Sequence, residues 1–122
     1  MKKLKNKLDK VFSVYIRTRF KDHNAMVKCF TCGKFGHWGT MHCGHYISRR
    51  FLSTRWDEKN CQVQCPACNL YQEGNKNSFA LRLMEKYGQT ILLELEAKKQ
   101  NICRMGKFEY EQLIVYFQKK IL

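Results

Sequence analysis

The chain has 122 residues, 27% of them charged, with 23 Lys and Arg against 10 Asp and Glu, for a formal net charge of +13. That length suits one domain with a modest core, and the charge points to a polyanionic partner, nucleic acid before an anionic membrane surface. No apolar run approaches the roughly 20 residues of a transmembrane helix, and no apolar stretch follows the basic N-terminus as a signal peptide requires, so neither a membrane-spanning nor a secreted protein is expected.

Residues 3–20 predict an amphipathic helix. Leu4, Leu8, Val11, Phe12 and Tyr15 share one face, and Lys3, Lys7, Lys10 and Arg17 lie mostly opposite. His23 and Asn24 mark its stop. Residues 26–64 are rich in Gly, Cys, His and aromatics and carry no helical period; short strands are expected near 26–29, 45–48 and 62–64. Pro66, the single proline, suits either the first turn of a helix or a knuckle turn. Asn77 or Ser78 is expected to cap a helix carrying Phe79, Leu83, Met84 and Tyr87, with Gly88 ending it. Another helix starts near Thr90 with Ile91, Leu92 and Leu95 on one side. A last one, from about Lys107, places Tyr110, Leu113, Ile114, Phe117 and Ile121 on one stripe. The expected organisation is a single domain over 1–122: a basic amphipathic helix in 1–24, a cysteine-rich core in 25–76, and helices in 77–122.

Two Cys-x-x-Cys pairs, Cys29/Cys32 and Cys65/Cys68, are the strongest local signal. Zinc takes four soft ligands in a tetrahedron, and each pair presents two thiolates on one turn. A redox pair would need only one such motif in a βαβ setting. The remaining three of the seven cysteines, Cys43, Cys61 and Cys103, are expected as free thiols, which fits a reducing cytoplasm better than a disulfide framework.

Between the pairs lie His37, His42 and His45, and the order His45, Asn60, Cys65, Cys68, Asn69. A zinc held by four thiolates has no coordination left for these histidines. A histidine can take a proton from water near neutral pH. An asparagine can fix the loop that carries it, and its carbonyl oxygen can ligate a hard cation. Together they form a minimal kit for metal-assisted phosphodiester hydrolysis. The plainer readings are a structural histidine, a turn residue at Asn60 and a knuckle or helix cap at Asn69. Arg49, Arg50, Arg55, Lys59 and Lys76 offer phosphate contacts or simply a solvated surface. Lys2, Lys3, Lys5, Lys7 and Lys10 extend that track or solubilise their helix.

The spacing resembles an HNH, or ββα-metal, nuclease of the zinc-stapled type. More closely, the chain resembles the NinG/Rap recombination proteins of lambdoid phages. The likeness is carried by Tyr15-Ile16-Arg17, Lys28-Cys29-x-x-Cys32-Gly33, Gly44-His45-Tyr46-x-Ser48-Arg49, Arg55-Trp56-Asp57-Glu58-x-Asn60, Gln64-Cys65-x-x-Cys68-Asn69 and Gly74-Asn75, and it runs on into Tyr87-Gly88. It is also similar, in its knuckles and the Asn after the last Cys, to phage recombination endonuclease VII.

The resemblance implies an α+β fold, a small zinc-stapled, HNH-like and treble-clef-like core flanked by N- and C-terminal helices. It implies a structure-specific endonuclease acting on branched DNA such as Holliday junctions and D-loops, in the cytoplasm of a bacterial host. Cys29, Cys32, Cys65 and Cys68 would hold structural Zn²⁺. His45 would be the general base, with Asn60 the middle position of the HNH pattern and Asn69 the third, contacting a catalytic Mg²⁺ or Mn²⁺. His42 stands where the family pattern usually has an acid, three residues before the catalytic histidine. Imidazole suits manganese, nickel or zinc better than magnesium; Asp57 is the substitute carboxylate, unless it pairs with Arg55 or caps a turn. The resemblance favours Arg49 and Arg55 as DNA contacts beside Arg50 and Lys76. A resolvase nicks two strands, which suits a two-fold dimer. The competing expectations are a non-catalytic zinc-finger module that binds nucleic acid and a protein-interaction adaptor.

Overall fold

The computed structural model describes all 122 residues. Helix α1, Lys2–Thr18, buries Leu8, Phe12 and Ile16. Ile16 continues the expected stripe one turn beyond Phe12. The stripe packs on helix α5, Lys107–Ile121, whose buried residues are Tyr110, Ile114 and Phe117. Phe12 and Phe117 meet edge to face with ring centroids 4.8 Å apart, an arrangement that adds ~1 kcal/mol to burial alone. The first and last helices are therefore one layer, and the two apolar stripes of the sequence cover each other.

Two antiparallel hairpins lie between them. Strand β1, Met26–Lys28, pairs with β2, Phe35–His37, and β3, His42–His45, pairs with β4, Cys61–Gln64. The expected strand at 45–48 is displaced to 42–45, and β2 is a strand the sequence did not signal. The displacement has a local cause. Tyr46 still donates its amide to the Asn60 carbonyl at 2.9 Å, but the amide of Ile47 donates to the Asn60 side chain instead of a partner strand. The ladder stops there, and the chain loops out through a short helix α2, Leu52–Arg55, before returning.

After β4 the chain makes one π-helical turn, Ala67–Tyr71, preceded by Pro66. Helix α3, Lys76–Tyr87, follows, then α4, Ile91–Lys99. The N-terminal cap of α3 lies two to three residues ahead of expectation. Asn75, not Asn77 or Ser78, precedes it, with a left-handed backbone (φ +49°) and its side chain turned to Cys68 Sγ at 3.6 Å rather than to the helix. Gly88 ends α3 at φ +103°, a conformation only glycine adopts without strain.

The architecture is α+β, with two two-stranded sheets among five helices. Its interior is three small clusters. One lies between α1, α5, Trp56 and Cys61, one around the paired cysteines with Val27, Met41 and Val63, and one joins Ile47 to Phe79, Leu83, Ile91 and Leu95. No helix is long and apolar enough to cross a membrane.

Candidate metal centre and basic cleft

Cys29 and Cys32 sit on the turn between β1 and β2, and Cys65 and Cys68 on the exit from β4. Their four sulfurs lie within 4.8 Å of one another. Cys32 Sγ and Cys65 Sγ are 3.7 Å apart. Sulfurs at the corners of a zinc tetrahedron with ~2.3 Å bonds are separated by about 3.8 Å, whereas a disulfide needs ~2.05 Å. The geometry fits a closed four-thiolate ion, and the four cysteines can hold a structural zinc.

Nearby polar groups support that arrangement. Gln64 Nε2 donates to Thr31 Oγ1 at 3.1 Å and to the Gly74 carbonyl at 2.8 Å, and the Thr31 hydroxyl then faces Cys29 Sγ at 3.4 Å. Burial opposes ionisation at both Cys29 and Cys32. At Cys29 the Thr31 hydroxyl and the knuckle amides overcome it and bring the thiol down to about 6. At Cys32 burial and the neighbouring thiols prevail and push it up to about 12. A dication at the centre relieves this conflict by favouring thiolate at all four.

His45 ends β3. Its Nε2 lies 2.9 Å from the Arg55 carbonyl, which can only accept, so Nε2 carries the proton and Nδ1 keeps its lone pair. Burial, aided by the Arg49 and Arg55 charges, lowers its pKa to about 4, so the ring is neutral at neutral pH. Asn60 is fully buried. It accepts from the Ile47 amide at 2.8 Å and donates to the carbonyls of Ile47 at 3.1 Å and Thr54 at 3.0 Å. It is a positioning residue for the 46–60 loop and presents nothing to a ligand.

Alternate residues of β3 face opposite ways. Asn69, on the π-helical turn, donates from Nδ2 to His42 Nδ1 at 3.0 Å. Cys43 and His45 face the other way, where His45 is paired with Cys61 in the ladder. The side-chain donors of Cys43, His45 and Cys61 lie within 4.8 Å of one another. Of the three thiols expected to stand free, only Cys103 is away from a cluster. His42 and His45 nonetheless line one cleft of about 540 Å³, with Asp9, Lys10, Ser13, Arg17 and Arg49 on its walls.

The basic residues divide. Arg55 Nε and Nη2 grip Asp9 at 3.0 and 2.5 Å, and only 12% of its side chain is exposed. Trp56 Nε1 adds a bond to the same carboxylate at 2.9 Å. Lys76 Nζ donates to the carbonyls of His45 and Tyr46. Arg55 and Lys76 thus tie the His45 loop in place. Arg49 also pairs with Asp9, at 2.9 Å, but stays 56% exposed, and Arg50 is exposed. Asp57 caps its own turn by accepting from the Lys59 and Asn60 amides and pairs with Lys98 rather than Arg55. Its carboxylate is committed away from His42.

Arg17 was legible only as part of the polar face of α1, and Lys10 also as an extension of the phosphate-contact track. Their i, i+7 spacing, with Ser13 between, is the signal that one strip of that face looks into the cleft. Arg17 is half-buried there, with its guanidinium 5.1 Å from the centre of the Trp38 ring.

Proteins named ninG from Escherichia phage 933W, Salmonella phage P22 and Escherichia phage lambda are each 28% identical to this chain over 109 residues, covering 82% of it. The chain spans about half the length of these relatives, 50–51%. No solved structure matches it. The family model described as Bacteriophage Lambda NinG protein matches residues 1–122, the whole of the described chain, and the chain belongs to the NinG family.

Proposed function

We propose that this chain is the nuclease module of a divalent-metal-dependent endonuclease that cuts branched DNA during recombination in a bacterial host. The hairpin β3–β4 and the turn carrying Asn69 would be the ββα-metal core, stapled by zinc. The observation that carries the reading is His45: a neutral imidazole, tethered through Nε2 with Nδ1 left as acceptor, at the edge of a cleft lined by Lys10, Arg17 and Arg49.

In this reading Nδ1 of His45 takes the proton of the attacking water. Arg49, Arg50, Lys10 and Arg17 hold the phosphodiester against it. Asn60, Arg55 and Lys76 fix the strand end and the loop so that Nδ1 stays aimed. His42 and Asn69 are the residues that would hold the second, catalytic cation. Their imidazole nitrogen and amide oxygen fit manganese better than magnesium, because no carboxylate joins them. Such an ion supplies charge stabilisation at the phosphate and the leaving oxygen.

A second reading is a non-catalytic zinc module that binds nucleic acid. The missing carboxylate favours it, since Asp57 is engaged with Lys98 and Asp9 with Arg55. Incubation with linear, forked and four-way DNA in Mg²⁺, Mn²⁺ or EDTA separates the two. Metal-dependent nicking of branched substrates supports the nuclease; salt-sensitive binding without nicking in any metal supports the binding module.

A further inference from the structure

We propose that Cys43, His45 and Cys61 form a second metal site, distinct from the four-cysteine knuckle, which takes a soft divalent transition ion such as zinc or cobalt and leaves one coordination position open to the cleft. The site is built by strand register. His45 stands opposite Cys61 in the β3–β4 ladder, and Cys43, two residues earlier, projects from the same face. Three donors from two strands converge, with all ligand atoms within 4.8 Å of one another. Tetrahedral ions with bonds of ~2.0–2.3 Å need ligand atoms about 3.3–3.8 Å apart, so closing on an ion draws the donors together by a distance on the order of an ångström or less.

Access and chemistry agree. Cys61 is fully buried and forms the back of the site, while Cys43 and His45 line the cleft through which an ion would enter. Two thiolates and an imidazole select zinc or cobalt over magnesium. Three protein ligands with the fourth position open is the pattern of a reactive or exchangeable site rather than a closed structural one. Cys61 Sγ has only weak partners, the Arg55 carbonyl at 3.5 Å and Asn60 Nδ2 at 3.9 Å, so little is lost when it ligates. Since the Arg55 bond occupies Nε2, the ion must take Nδ1 of His45. Given the role proposed for that atom above, zinc at this site would block the base and inhibit cleavage.

The test uses the whole chain carrying one zinc per molecule and titrates it with Co²⁺ while zinc release is monitored. The expected result is one further cobalt per chain, with thiolate-to-cobalt charge-transfer absorption and no loss of the knuckle zinc. Cys43→Ser and His45→Ala should each weaken that cobalt at least tenfold, and Cys103→Ser should leave it unchanged. Cys61→Ser changes a fully buried residue, so the half-buried Cys43 carries the test, with retained zinc and far-ultraviolet circular dichroism certifying the fold. Zinc-loaded protein that takes up no second ion, or Cys43→Ser that binds cobalt with undiminished charge transfer, overturns the proposal. No DNA is present, so this failure is separate from a failure of the nuclease reading.

Discussion

Asn60 and Ile47 exchange two hydrogen bonds, the amide of Ile47 to Oδ1 of Asn60 at 2.8 Å and Nδ2 of Asn60 to the Ile47 carbonyl at 3.1 Å. A side chain here does what the next residue of a strand would do. The ladder ends one step past His45, and the loop that follows is pinned to the base of β4. Through this pair, the end of β3 and the orientation of His45 depend on a residue fifteen positions away from it in sequence.

Asn60→Ala should therefore be costly in two ways. It leaves the Ile47 amide and the Ile47 and Thr54 carbonyls without their buried partner, a loss of about 3 kcal/mol. Urea unfolding should show a lower midpoint by a corresponding amount. At urea-free conditions where the variant remains folded, cleavage should fall by more than its binding to DNA. Unchanged stability would show that the loop is held by something else.

Gly44→Ala should destabilise the hairpin. A Cβ at this position would stand 1.9 Å from Gln64 Oε1 and 2.6 Å from its Cδ. Gln64 is fully buried and held by its bonds to Thr31 and Gly74, so it cannot swing away freely. Giving up those bonds costs about 2 kcal/mol. The expected outcome is a lower melting temperature and faster zinc loss to a chelator. A variant as stable as the parent would mean Gln64 can be repositioned at no cost.

Asp9 ties α1 to the His45 loop, and its protonation should be felt as lost stability. Burial pushes its pKa up, but the bonds and charge of Arg55, with Trp56 and Arg49, outweigh that and hold it below the ordinary carboxylate value. The sign follows: the contribution is fully present above the usual aspartate range near pH 4 and is lost as pH falls through the depressed folded value. Asp9→Asn should lower stability at pH 7 and flatten its decline at acid pH. An unaltered acid limb in urea titrations would contradict this.

Cys32→Ser should release the structural zinc and, with it, the cluster of Val27, Met41 and Val63 that the knuckles surround. In a small site the free energy of binding zinc is folding free energy. Chelators should likewise unfold this region first, seen as rapid amide exchange in 26–41 and 61–68 ahead of α1 and α5. Uniform exchange across the chain would contradict a zinc-held subregion.

Much of this was readable from residue order. The cysteine pairs fixed their own convergence because thiolates three positions apart on a turn have few other uses. The helices declared themselves through the spacing of Leu8 and Phe12 in α1 and of Tyr110, Ile114 and Phe117 in α5. What escaped was everything decided by distant partners. Ile47 falls inside the strand expected at 45–48, yet its amide bonds to a side chain. Asp57 caps its turn, one of the two roles expected of it, but the other expected role, pairing with Arg55, goes to Asp9 across the fold. Cys43 and Cys61 looked like spare thiols until strand register set them beside His45. Such pairings have no local period to betray them.

The central claim is that His45 is a general base and not a structural histidine. The most direct measurement compares the parent chain with His45→Ala on a four-way DNA junction in Mn²⁺, scoring cleavage, junction binding and zinc content together. The account predicts that the parent cuts, and that the variant binds the junction and retains its zinc while its cleavage is abolished. A folded, zinc-loaded His45→Ala variant that cuts at the parent's rate would contradict it.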